Sequence, residues 1–351
     1  MSPSPSILAP LLQKSLAKRK PLFTPSPAFR AFSGPTEGIP GTFLDIYAQG
    51  ATLITYEGTT PARFNRQLEA QAALEVLANS PLQTRAIYHK PFARDRSKLG
   101  GQLPEIVTDK TPLAGEELPE SLTIREHNYN LEVRLYDGLS TGLFLDQRNN
   151  RKFLADWIRK RATDWRQPVG AEPPQLSILN TFAYTCAFSI AAAIAGALTT
   201  SVDISPRYLD WGKRNFALNN IDPAQHRFAR MDTFEFFDYA QRKNLTYDFI
   251  VLDPPSFAAA NKKRGTKAWS SLAHYATLVG KASQLLRPGG RGVIFASTNT
   301  QELCRPGRLE HEVEKGLSTF RRRPKYLPLP PTPIDFAMEK DRFAALAFEC
   351  A

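Results

Sequence analysis

Apolar and polar positions keep one rhythm over the second half of this chain and another over the first. From residue 176 onward, short apolar runs at 176–179, 198–202, 227–231, 247–252 and 292–296 read as strands. Between them, helical spacing covers about 189–195, 205–219, 233–242 and 270–286. Strand–helix alternation of this kind predicts an α/β architecture with a doubly wound parallel sheet, whose strands are buried on both faces and so read as unbroken apolar runs. Ser205-Pro206 supplies an N-cap followed by proline at the first helical position, and Pro288-Gly289 closes the last helix. Segments 326–329 and 342–348 predict an antiparallel pair at the sheet edge.

Upstream the pattern is mixed. Residues 42–47 and 51–56 read as paired strands around Ala48-Gln49-Gly50, and 85–90 as a further strand. Phe64, Leu68, Ala72 and Val76 recur every four residues, which predicts a helix with one apolar stripe. Together they predict a small N-terminal α+β domain over 36–120 that binds RNA. Residues 122–124 and 131–135 flank Asn128-Tyr129-Asn130 as a hairpin, and a helix follows to about Lys160. Hairpin and helix are assigned to a second domain over 121–351, with a linker at 170–174. Residues 1–35 hold seven prolines, five basic residues and no acid, and are expected to form a disordered basic arm. A spacer, a segment trailing along phosphates and an organellar transit segment all remain open for it.

Composition narrows the class. The 351 residues carry a net charge of +11, which favours a polyanionic partner such as nucleic acid without fixing a function. Cys186, Cys304 and Cys350 make no C-x-x-C pair, and the five histidines no H-E-x-x-H pattern, so no metal is expected. No apolar run is long enough to span a bilayer, and the expected compartment is the reducing cytoplasm. Oligomeric state is left open.

Candidate chemistry gathers at strand ends. Asp253-Pro254-Pro255-Ser256-Phe257 follows the run 247–252. Prolines lack an amide donor and fix φ, so this corner is expected to be stiff, with free carbonyls, at the edge where open sheets bind ligands. It either holds a flat group against Phe257 or merely ends the strand. Asp203 ends the second strand, 23 residues after Asn180, which suits a carboxylate accepting from ribose hydroxyls or, equally, a helix cap. The loop 180–189 lacks G-x-G-x-x-G, which argues against a pyrophosphate-bearing dinucleotide. A nucleoside without phosphates, such as S-adenosyl-L-methionine, tolerates such a loop.

In order along the chain stand T-G-x-F-L-D-x-R at 141–148, N-x-F-x-Y-T at 180–185, Val202-Asp203-Ile204-Ser205, and D-P-P-S-F at 253–257. With these the chain resembles, over about 40–350, the class I S-adenosylmethionine-dependent methyltransferases of large-subunit ribosomal RNA. It is most like the guanine-N7 half of a bifunctional bacterial enzyme, and next the related cytosine-C5 enzymes. The resemblance implies a Rossmann-like methyltransferase sheet and rRNA processing. Gln147 and Arg148 would close over the cofactor's amino-acid end. Asn180, Thr181, Phe182, Tyr184 and Thr185 would line its methionine portion. Asp203 would hold the ribose, Ile204 and Ser205 would flank the adenine, and Met231 and Asp232 would lie at its edge. Asp253 would sit near the ammonium, and Pro254, Pro255, Ser256 and Phe257 would form the catalytic platform for the target base. Phe182, Ile204 and Met231 also read as plain core, and Arg148 as a surface ion pair.

Two departures from the family pattern stand out. Cys186-Ala187 replaces glycines common in relatives, so larger side chains are expected to crowd the cofactor. The cytosine-C5 relatives carry a nucleophilic cysteine in the segment matching 295–299, where this chain has none; Ser256 occupies the other usual place, and Cys304 lies in a loop beyond. Carbon-5 needs a thiolate to add to the ring first, whereas guanine N7 does not. N7 is therefore favoured, with cytosine C5 the alternative. An exocyclic amine stays open, its proton passing to the Asp253 turn or the Ser256 carbonyl. For RNA, Arg94, Arg96 and Lys98 beside Phe92, together with Lys262, Lys263, Arg264 and Lys267, are the candidate contacts, and Arg321-Arg322-Arg323 with Lys325 makes a further cluster. A flipped or single-stranded base is expected. Competing readings are a non-catalytic RNA-binding module and a methyltransferase acting on protein or a small molecule.

Overall fold

A computed structural model describes residues 5–93, 104–164, 175–258, 268–289 and 291–350. The chain divides into two units, Met1–Arg148 with Pro333–Met338, and Asn149–Thr332 with Glu339–Ala351. The expected boundary near 120 therefore moves to Arg148, and the expected linker at 170–174 lies outside the described residues.

The first unit opens with helix α1 (Leu8–Arg19). Leu8, Leu12 and Leu16 fall on one face, four residues apart, and all three are buried against strands and a second helix. The first part of the expected basic arm is thus structured. Pro10 stands in the first turn, where its missing amide breaks no intrahelical bond, so the proline count misleads here. Glu69 caps the helix from outside: its carboxylate accepts from the amides of Ile7 (3.1 Å) and Leu8 (2.9 Å) and from Ser6 Oγ (2.5 Å). Downstream come β1 (Ala28–Ser33), α2 (Gly34–Glu37), β2 (Thr42–Tyr47), β3 (Gly50–Tyr56), α3 (Arg66–Ala78), β4 (Ala86–Phe92) and β5 (Ala114–Gly115). They form a sheet in the order β1-β2-β3-β4-β5, in which only β3 and β4 run parallel. The hairpin β6 (Leu122–Glu126) and β7 (Tyr129–Val133) belongs to this unit and not to the second.

Residues 333–338 return to the first unit through a buried charge pair. Asp335 accepts from both Arg148 terminal nitrogens (2.9 and 3.0 Å) and from the Arg30 amide (2.9 Å). Arg148 also donates to the Ala28 carbonyl (2.8 Å). This settles Arg148 as an ion-pair partner, buried and not on the surface. Its guanidinium is held within the fold by Asp335 and the Ala28 carbonyl. Gln147, one residue earlier, is buried in the same unit.

The second unit contains α4 (Arg148–Thr163), β8 (Ser177–Thr181), α5 (Ala187–Ile194), β9 (Leu198–Asp203), α6 (Pro206–Leu218), β10 (Arg227–Arg230), α7 (Thr233–Arg242), β11 (Phe249–Leu252), β12 (Phe257–Ala258), β13 (Trp269–Ser270), α8 (Ser271–Ser283), β14 (Val293–Thr298), α9 (Arg308–Ser318), β15 (Pro324–Leu327) and β16 (Ala344–Cys350). Seven of these strands form one sheet in the order β10-β9-β8-β11-β14-β16-β15. The first five run parallel, and β16 and β15 are the antiparallel edge expected from sequence. Helices α8 and α9 cross at backbone contact, because a Cβ on Gly316 would strike the Ala276 carbonyl and one on Gly280 would lie 2.8 Å from the Gly316 carbonyl oxygen. Among the described residues, no helix is long and apolar enough to cross a membrane.

Leu12→Ala will lower unfolding stability by about 2–5 kcal/mol in denaturant titrations, the range for an emptied core leucine site. A chain whose first 35 residues were a free arm would show no change.

Candidate functional site at the carboxyl edge of the parallel sheet

Register sets the site. Thr181 pairs with Val202 on one side and with Leu252 on the other, and Leu252 pairs with Ala296. The next residues, Asp203, Phe182, Asp253 and Ser297, therefore stand level along one edge. With neighbouring strands about 4.8 Å apart, Asp203 and Asp253 flank β8 at about 10 Å from each other. On the far side, Arg230 pairs with Asp203, so Met231 and Asp232 follow at the same edge.

Asp203 is held ionisable but restrained. Oδ2 accepts from the Tyr184 amide (2.9 Å) and Oδ1 from the Ser205 amide (2.8 Å). Burial raises its carboxyl pKa, and these two amides oppose the rise. Each oxygen keeps lone-pair capacity beyond its one amide. Asp232 caps α7 through Oδ1, accepting from the amides of Phe234 (2.8 Å) and Glu235 (3.4 Å), which leaves Oδ2 without a hydrogen bond among the described residues. Ile204 is 39% exposed at the strand end, so it is not core. Phe182 and Met231 are half-buried against the main apolar cluster, as the core reading of them had it.

The loop from Phe182 to Cys186 is built without glycine, yet Phe182 (φ 51°), Tyr184 (φ 48°) and Cys186 (φ 65°) all adopt the left-handed region. Cys186 itself points away from the loop's outer face. Its side chain is fully buried and turned into α6, where a Cβ on Gly212 would collide with its Sγ and lie 3.0 Å from its Cβ. A glycine inside a helix costs stability relative to alanine, and that cost was the one sequence signal of this close approach. Asn180, Thr181 and Thr185 turn inward as well. Asn180 donates to Ser189 Oγ (3.0 Å), Thr181 to the Val251 carbonyl (2.8 Å), and all three side chains are buried. Tyr184 packs edge-on against Tyr208, with ring centroids 4.4 Å apart.

The Asp-Pro-Pro corner is braced and not free. Pro255's carbonyl accepts from Trp269 Nε1 (2.7 Å) and Ser271 Oγ (2.8 Å), and Ser256's carbonyl accepts from the Ser271 amide (3.0 Å). Both departures from the expected free carbonyls have one cause: the chain returns beside the corner as β13 and the start of α8. Buried Ser297 donates to Asp253 Oδ1 (2.6 Å), and Ser256 Oγ donates to Asn299 Oδ1 (2.5 Å). Phe257 remains 67% exposed. Sequence reasoning missed Trp269, Ser271, Ser297 and Asn299, since none of them belongs to a motif.

No thiol here is activated. Burial pushes Cys186 up to about 12, Cys304 to about 11 and Cys350 to about 11. The expected RNA contacts Arg94, Arg96, Lys98, Lys262, Lys263, Arg264 and Lys267 lie outside the described residues. Among the described residues, no group of three His, Cys, Asp or Glu side chains is placed to hold a metal.

Residues 107–322 match the family model described as S-adenosylmethionine-dependent methyltransferase, and the chain belongs to that family, as the motif resemblance implied. It is 35% identical over 292 residues to the Bacillus subtilis (strain 168) protein named "Putative ribosomal RNA large subunit methyltransferase YwbD", spanning 82% of this chain and 65% of that one. It is 34% identical over 259 residues to ribosomal RNA large subunit methyltransferase K/L of Legionella pneumophila (strain Corby), spanning 74% of this chain but only 32% of the relative. The crystal structure of SMU.776 complexed with SAH (S-adenosylhomocysteine) aligns with 97% of this chain and 80% of that chain, at a TM-score of 0.78 and 30% identity. The doubly wound sheet and the nucleoside-type cofactor expected from sequence accord with these matches.

Gly212→Ala will force Cys186 out of its seat, destabilise the fold by about 1–3 kcal/mol as overpacking does, and weaken S-adenosylhomocysteine binding in calorimetry. Adding Cys186→Gly, which removes the obstructing sulfur and suits a positive φ, will restore both.

Proposed function

We propose that this chain transfers a methyl group from S-adenosylmethionine to N7 of a guanine in large-subunit ribosomal RNA, in the cytoplasm. The relatives' names support the RNA class. The state of the three thiols carries the choice of atom. Attack through cytosine C5 needs a thiolate at the target base, whereas Cys186 is buried and turned into α6, Cys350 stands at the amino edge of the sheet, and burial pushes the Cys304 thiol up to about 11. At the place on β14 where a thiolate would serve, Ser297 donates its hydroxyl to Asp253 instead.

The donor set suits the cofactor. Asp203 offers acceptors to ribose hydroxyls, Ile204 an exposed apolar face to adenine, and Asp232 Oδ2 an acceptor for the adenine amino group. Asp253 offers a carboxylate to the ammonium. S-adenosylmethionine supplies, when bound, an electrophilic methyl group on a sulfonium. What the chain must add is alignment. The N7 lone pair lies in the plane of the base and carries no proton, so no general base is called for. Holding reactants in line lowers a barrier by up to about 7–11 kcal/mol. Phe257 offers a ring face for the guanine, and the braced Pro254-Pro255-Ser256 backbone keeps that ring in place. Of the acceptors an exocyclic amine could use at this corner, the Ser256 carbonyl is taken by the Ser271 amide.

Incubation with methyl-labelled cofactor and undermodified large-subunit RNA will place label in 7-methylguanosine on nucleoside mass spectrometry. Label in 5-methylcytidine or in an N2-methylated guanosine would sink the assignment. Cys304→Ser will retain the activity within about twofold, whereas loss of turnover would restore the thiol mechanism.

A further inference from the structure

Beyond the crevice, the second unit carries a basic recess at the opposite edge of its sheet. It has a volume of about 590 Å³ and is lined by Glu314, Ser318, Arg321, Arg322, Arg323 and Pro324. Strands β14 and β15 both run antiparallel to β16, and Pro324 pairs with Cys350 while Val293 pairs with Glu349. The arginines therefore lie at the amino edge. Val293 stands four residues below Ser297, the level of Asp203 and Asp253, so that edge is about 13 Å from them along the strands, and β15 is three strands across from β11.

The backbone under the arginines is fixed. Arg321 takes the left-handed conformation (φ 55°) that usually falls to glycine after a helix, and its amide donates to Ser318 O (3.0 Å). The Arg322 amide donates to Leu317 O (3.1 Å), and its guanidinium donates to the Ser283 carbonyl. Arg322 is an anchor. Arg321 and Arg323 are exposed, and neither guanidinium has a hydrogen bond or ion pair among the described residues. Three other cations near this edge are paired, Lys281 with Asp238 (2.6 Å), Arg287 with Asp248 (2.8 Å) and Lys325 with Glu349 (3.4 Å), whereas Arg291, exposed just before β14, has no hydrogen bond or ion pair among the described residues either. A helix C-terminus favours a cation near its last turn, but it does not call for two further unpaired guanidiniums beyond an anchored one. Glu314 opposes an anion, though it accepts from Tyr326 OH (3.5 Å).

We propose that Arg321 and Arg323 bind the phosphate backbone of the same RNA at a distance from the reacting base. The guanidinium fork suits phosphate oxygens, and the chain's charge of +11 favours a polyanion over an acidic peptide patch. This rests on the RNA reading above and sharpens its substrate class. The substrate is a folded RNA large enough to reach both edges of the sheet, and a short hairpin filling the crevice leaves the recess empty.

The test compares the intact chain with Arg321→Ala/Arg323→Ala, keeping Arg322. Dissociation constants are measured against salt for a whole domain of undermodified large-subunit RNA, for a short hairpin and for poly-L-glutamate. For the RNA domain, the slope of log affinity against log salt will fall by about 1.4–1.8 in the variant, corresponding to two lost phosphate contacts, with affinity several-fold weaker. Hairpin affinity, S-adenosylhomocysteine binding and melting temperature will not change. An unchanged slope on the domain, or an equal loss on the hairpin, overturns the proposal. So does a loss confined to poly-L-glutamate. Methyl transfer by the unaltered chain is scored separately. RNA left unmethylated while the slope still falls would remove the proposed reaction and leave the recess standing.

Discussion

The shared register of β9, β8, β11 and β14 is the constraint on which the rest depends. Parallel strands buried on both faces have their register set by packing on two sides, and here Val202, Thr181, Leu252 and Ala296 stand level, with β14 running two residues further. A shift of one residue along β11 would carry Asp253 out of reach of Ser297 and draw the proline corner away from Trp269 and Ser271. The chemistry of the edge is therefore a consequence of the core beneath it. Ile250, Val251, Ile294 and Phe295, all buried, hold the strands that place the carboxylates.

The loop after β8 shows how one fold solves a backbone problem in another way. Three non-glycine residues in left-handed conformation each cost about 1–2 kcal/mol, and the surroundings must over-determine them. They do so through backbone and side-chain bonds: Ala183 N to Val202 O (2.9 Å), Cys186 N to Ala183 O (2.7 Å), Tyr184 N to Asp203 (2.9 Å), and Asn215 Nδ2 to Thr185 O (2.9 Å). The glycine has moved to position 212, in the facing helix, where it makes room for the cysteine sulfur. Asp203 thus serves the loop's shape with the same carboxylate that is proposed to hold the ribose. Strain stored this way keeps the strand end open without glycine's freedom to collapse.

Legibility from sequence followed the range of the interaction. Runs such as Phe249-Ile250-Val251-Leu252 and caps such as Ser205-Pro206 act locally, so strands, helices and the carboxylates at strand ends were readable. Helix α1 was not, because proline and charge counts outweighed a three-leucine stripe whose partner, Glu69, lies more than sixty residues away. The return of Asp335 to Arg148 spans 187 residues and leaves no local trace, so the buried pair could not be read from the sequence. Trp269 and Ser271 follow the Asp-Pro-Pro corner at a distance no spacing rule anticipates, and only their bonds to Pro255 reveal them. Gly212 is the intermediate case: its place inside a helix was visible, its purpose was not.

A site that activates no nucleophile must obtain its selectivity elsewhere. On the reaction proposed above, Asp203, Asp253 and the proline corner would align a donor and a planar acceptor, and any exposed guanine would present the same N7 edge to them. A stacking ring such as Phe257 accepts every base, since each has a π face. Direct contacts at the crevice therefore discriminate atoms within a base better than one nucleotide among thousands of similar ones. Backbone contacts do not read sequence either, but several of them fixed at separate places on a rigid sheet read the shape of a folded RNA, because only one arrangement of phosphates meets them all. The amino edge, with its anchored Arg322 between two unpaired neighbours, is placed to take part in such a reading, at the end of the sheet opposite the proposed chemistry and joined to it by the same strands.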